Sequence, residues 1–149
     1  MSDQTGYTGG CQCGAVTYTI AGNLPPAYAC HCGECKKQSA SAFSLSIAVA
    51  FSRLEVTGEL SMFESEAFSG AVKRCYFCAA CGTRLWHRST NYPDSATLKV
   101  GTIDKAQHIA PVFHLWVSKK QAGFKFDPGA KTYDTQPENL AELREAMSK

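Results

Sequence analysis

The sequence predicts a mainly β protein organised around short cysteine-rich turns. Two observations carry that prediction. Brief segments alternate apolar and polar residues with the two-residue period of a strand, and Gly, Asn, Asp and Pro separate them. The 8 cysteines gather in three clusters, and a glycine directly follows Cys13, Cys32 and Cys81. A length of 149 residues fits one domain.

Taken in order, residues 15–20 place Val16, Tyr18 and Ile20 on one face. Residues 43–49 alternate, with Phe43, Leu45, Ile47 and Val49 opposite Ser44, Ser46 and Ala48. Shorter strands are expected at 54–57, 60–64, 72–78, 84–88, 97–101 and 112–117. In the last of these, Phe113, Leu115 and Trp116 do not keep period two, so that strand is expected to be covered on both faces or bulged. A short helix is expected from Gly33 to about Ser39. A second is expected at the C-terminus, where Pro137 suits a first helical position and Leu140, Leu143 and Met147 share a stripe. Residues 1–8 are expected to be a flexible N-terminus, and 9–149 a single domain.

Composition excludes several classes. A formal charge of +2 with 19% charged residues argues against nucleic-acid or membrane-surface binding driven by bulk charge. A 44% hydrophobic content is too high for a disordered chain. No apolar run approaches the roughly 20 residues of a membrane span. The opening MSDQTGYTGG lacks the basic start and apolar stretch of a secretory signal, so a cytoplasmic location is expected. There disulfides are rare, and clustered cysteines more often hold metal or do redox chemistry.

The clusters read Cys11-x-Cys13, Cys30-x-Cys32-x-x-Cys35 and Cys75-x-x-Cys78-x-x-Cys81. Gaps this short let two thiolates reach one ion from a single turn, and two turns complete the tetrahedron that zinc prefers. If 72–78 is a strand, Cys75 and Cys78 face opposite ways, so Cys78 pairs with Cys81 and Cys75 is left as a packed thiol. Seven candidate ligands remain, four plus three. Spacing leaves their pairing open. The preferred division closes one site with Cys11, Cys13, Cys78 and Cys81. It leaves Cys30, Cys32 and Cys35 as a group with an open position for water or substrate.

The run Gly10-Cys11-Gln12-Cys13-Gly14-Ala15-Val16 resembles the opening of the glutathione-dependent formaldehyde-activating enzyme family. Cys30-His31-Cys32-Gly33-Glu34-Cys35-Lys36-Lys37 and Phe77-Cys78-Ala79-Ala80-Cys81-Gly82 resemble it too, as do 100–104 and 111–116. The resemblance implies a β-tent of folded antiparallel sheets. It implies two Zn²⁺ per chain, a structural one on Cys11, Cys13, Cys78 and Cys81 and a second on Cys30, Cys32 and Cys35. It further implies a carbon–sulfur lyase that forms or cleaves S-(hydroxymethyl)glutathione or a related thiol adduct, with glutathione as co-substrate. Its partner would be a small thiol. Cys75, Phe124 and Ala40 depart from the usual family pattern.

Other residues admit two readings each. Lys36 and Lys37 are candidates to attract glutathione carboxylates, or form a solvated face. Arg74 and Arg84 could clamp a carboxylate or make surface ion pairs. His31, between two ligands, is expected to point away from their ion. His87 and His114 fit core positions better than catalytic ones. Two competing functions follow. A non-catalytic zinc module for a protein partner is one, since centromere protein V is similar in its cysteine pattern. A methionine sulfoxide reductase of the B type is the other, for which only Cys75 could be the nucleophile.

Overall fold

The computed structural model describes residues 6–67 and 69–137. It is mainly β. The strands are β1 (Gly6–Gly10), β2 (Thr17–Ala21), β3 (Ala27–Cys30), β4 (Ser44–Ala50), β5 (Leu54–Thr57), β6 (Leu60–Glu66), β7 (Val72–Cys78), β8 (Arg84–Ser89), β9 (Tyr92–Lys99), β10 (Pro111–Leu115) and β11 (Lys131–Thr132). The described α-helix is α1 (Gly33–Ser39). The C-terminal helix expected from Pro137 lies outside the described residues. The chain divides into two compact units, one of Met1–Leu24 with Ala48–Ala106 and one of Pro25–Ile47 with Gln107–Lys149.

In the first unit, β1, β2 and β5 form a three-stranded antiparallel sheet in that order. β1 takes Gly6, Tyr7 and Thr8 from the segment expected to be flexible, because they pair with Ala21, Ile20 and Thr19 of β2. Val16, Tyr18 and Ile20 are buried together, as their alternation requires. β6, β7, β8 and β9 follow as antiparallel neighbours. Trp86 on β8 is buried and centres this core, with Tyr18 edge-on at 6.3 Å and Tyr76 at 6.0 Å.

In the second unit, β10 runs parallel to both β3 and β11, and β3 pairs antiparallel with β4. Phe113 and Leu115 form a core against Tyr28, Cys30, Trp116 and Tyr133. Phe113 stacks on Tyr28 at 5.3 Å. A register shift between Pro111 and Phe113 supplies the irregularity expected of β10. Trp116 then ends the strand at φ 59°, a left-handed conformation uncommon for a bulky residue. On β4 the expected serine face is not the exposed one. Ser44 and Ser46 are each 2% exposed and their hydroxyls lie 3.4 Å apart, whereas Phe43 and Leu45 are half-buried. Hydrogen bonding between the two hydroxyls lowers the cost of burying them.

Candidate metal centres

Both sulfur clusters are assembled by tight turns. Between β1 and β2, the Gly14 N–H donates to the Cys11 carbonyl at 3.2 Å, and Gly14 takes φ +83°, a conformation glycine adopts without strain. The Val16 N–H donates to Cys11 Sγ at 3.2 Å. The end of β7 repeats the device. The Gly82 N–H reaches the Cys78 carbonyl at 2.9 Å, and the Ala80 and Cys81 N–H groups donate to Cys78 Sγ at 3.3 and 3.4 Å. Backbone donors aimed at sulfur favour the thiolate over the thiol.

The four sulfurs of Cys11, Cys13, Cys78 and Cys81 lie within 4.8 Å of one another. Cys11 and Cys13 are 3.6 Å apart, and Cys13 and Cys78 3.8 Å. Four sulfurs at the usual Zn–S length form a tetrahedron with edges of about 3.8 Å. The group therefore fits zinc. Its protonation agrees. Thr83, whose hydroxyl is 3.2 Å from Cys81 Sγ, lowers the Cys81 thiol to about 5. Cys13 is pushed up to about 11: the Ala15 backbone N–H lowers it, but Cys11, Cys81 and burial together outweigh that. Sulfurs this close cannot all ionise without a cation among them. Cys75 is 1% exposed and outside the group.

The second group, Cys30, Cys32 and Cys35, also lies within 4.8 Å. Cys30 ends β3. Cys32 caps α1, its Sγ accepting the Cys35 N–H at 3.4 Å, and Cys35 is buried in the first turn. Cys32 is held well below the usual thiol range, first by hydrogen bonding from Cys30 and then from Cys35. Cys30 is pushed far above it by the same neighbours and by burial. Three sulfurs within 4.8 Å, one of them accepting a backbone N–H, offer a thiolate donor set that also fits zinc. Among the described residues, no fourth Cys, His, Asp or Glu joins the group.

His31 is instead turned into a buried aromatic cluster. Its Nε2 lies 2.9 Å from His114 Nδ1, and its ring packs against Phe43 at 5.1 Å and Phe126 at 5.9 Å. Burial lowers both imidazoles, His31 to about 4. The sequence did not point to this pairing, because 83 residues separate the two histidines. Lys36 spends its ammonium on the Lys119 carbonyl at 2.8 Å, and Lys37 is exposed. In the first unit, Arg74 pairs with Glu64 at 3.0 Å. His87 is held well below its usual value by burial, then by Lys99, Lys73 and Arg84. No described helix is long and apolar enough to cross a membrane.

No curated protein matches the chain. A crystal structure of a Rhodobacter sphaeroides protein is 21% identical, covering 66% of this chain and 88% of that one with a TM-score of 0.52, and so shares the fold. The family model described as glutathione-dependent formaldehyde-activating enzyme matches residues 6–119, a span that contains every clustered cysteine. The chain accordingly belongs to the glutathione-dependent formaldehyde-activating enzyme family.

Proposed function

We propose that the protein is a zinc-dependent carbon–sulfur lyase of β-tent architecture that forms or cleaves S-(hydroxymethyl)glutathione or a related thiol adduct. The observation that carries this reading is the three-sulfur group. Cys30, Cys32 and Cys35 converge, and no fourth side chain among the described residues completes the set. The four-sulfur group, by contrast, supplies all the ligands zinc requires and is read as structural.

Zinc held by Cys30, Cys32 and Cys35 would supply a position for an incoming thiol and favour its ionised form. The chain's own residues prepare that position. Cys32 is stabilised as a thiolate by the Cys35 N–H at the start of α1. Burial of Cys35 keeps bulk water from one side of the group. His31 is held away from the sulfurs by His114, so it does not close the set. Lys36 is engaged by the Lys119 carbonyl, which leaves exposed Lys37 the better placed of the two for a glutathione carboxylate.

Exchange kinetics test the reading. The zinc-loaded protein is expected to speed S-(hydroxymethyl)glutathione formation above the spontaneous rate. No acceleration with both metals in place would favour a non-catalytic zinc module.

A further inference from the structure

The first unit carries a concavity lined in part by arginine and hydroxyl side chains, separate in chemistry from the sulfur groups. It has a volume of 230 Å³ and is lined by Arg74, Tyr76, Arg88, Ser89, Thr90 and Pro93. Arg74 on β7 and Arg88 on β8 are direct register partners, so their side chains leave the same face of the ladder. Like charges placed opposite one another on adjacent strands are destabilising. Among the described residues the compensation is one-sided. Glu64 accepts from Arg74 Nε at 3.0 Å, but Arg88 meets no carboxylate. Arg88 is nevertheless fixed in place. Its guanidinium lies 3.9 Å above the Phe51 ring and donates to the Pro93 carbonyl, and its buried Nε has no partner. A buried, unsatisfied charged donor is costly. Hydroxyls complete the rim. Ser89 Oγ accepts the Asn91 N–H, and Thr90 Oγ1 accepts the Val72 N–H, so each keeps its own proton to donate.

We infer that the Arg74–Arg88 concavity is a binding site for a small oxyanion, a phosphoryl or carboxylate group on a soluble ligand. Two guanidiniums held on one face, with hydroxyl donors beside them, match an anion with several acceptor oxygens. The anion offsets the repulsion between the arginines, a role Glu64 fills for Arg74 alone.

The probes are inorganic phosphate and acetate, titrated into the zinc-loaded protein at constant ionic strength and followed by the Arg Nε–H NMR signals. Saturable shifts of the Arg88 and Arg74 signals are expected, weakened at least tenfold by Arg74→Gln and by Arg88→Lys. Arg74 is exposed, so its replacement leaves folding intact and keeps the test readable if the Arg88 variant fails to fold. Stronger shifts with phosphate assign a phosphoryl ligand, and stronger shifts with acetate a carboxylate. Shifts no larger than those produced by chloride, or saturation unchanged in Arg74→Gln, would overturn the proposal.

Discussion

Cys32 is the residue on which the three-sulfur group turns, since it caps α1 and its sulfur accepts the Cys35 N–H. Cys32→Ser is expected to remove one zinc ion and return the exchange rate to the spontaneous value, leaving the other ion in place. Metal analysis beside kinetics checks this. Cys75→Ser is expected to change neither quantity, because Cys75 lies outside both groups. That outcome would also separate the protein from a sulfoxide reductase, whose chemistry would need Cys75. His87 gives a pH prediction. Its folded value lies below the ordinary imidazole value of about 6.5, so the unfolded chain binds the extra proton first. Stability is therefore full above that value and falls as pH drops below it. Urea midpoints at pH 7.5 and 5.5 should converge in His87→Gln relative to wild type. At this scale much was legible. Period-two alternation alone set Cys75 apart from Cys78. The His31–His114 contact was not, since nothing local marks a pair brought together by the alignment of β3 with β10.

Elements were legible where side-chain patterning dominated. The expected 54–57 and 72–78 segments coincide with β5 and β7, and α1 spans Gly33–Ser39 as expected. β1 was missed because Gly-Tyr-Thr-Gly-Gly reads as a loop, yet Gly9 and Gly10 leave no room for a side chain. A Cβ on Gly9 would meet the Thr102 carbonyl oxygen and the Tyr18 ring, each at 2.4 Å. β3 and β11 were missed as well. They are 4 and 2 residues long, too short to display a period. Gly58, between β5 and β6, couples that turn to the four-sulfur group. It has φ +115°, and a Cβ there would lie 2.2 Å from the Ala15 carbonyl oxygen and 2.8 Å from Val16 Cα. Val16 in turn holds Cys11 through its own N–H. Gly58→Ala is expected to cost at least about 2 kcal/mol and to weaken zinc retention at the four-sulfur group specifically. Thermal unfolding together with chelator competition would show both effects.

Over the whole molecule, the described residues form two compact units within the span that length assigns to a single domain. Composition could not show this, because the first unit is assembled from two stretches separated in sequence by the second. Each sulfur group is built entirely within one unit: Cys11, Cys13, Cys78 and Cys81 in the first, Cys30, Cys32 and Cys35 in the second. The two ions should therefore be lost independently. A chelator is expected to strip the three-sulfur group first, since no fourth Cys, His, Asp or Glu among the described residues joins it. Native mass spectrometry of the freshly purified, reduced protein is the most direct measurement. Two zinc ions per wild-type chain are predicted, and one after Cys30, Cys32 and Cys35 are all replaced by serine. A wild-type chain carrying one ion, or a triple variant that still carries two, would contradict the account.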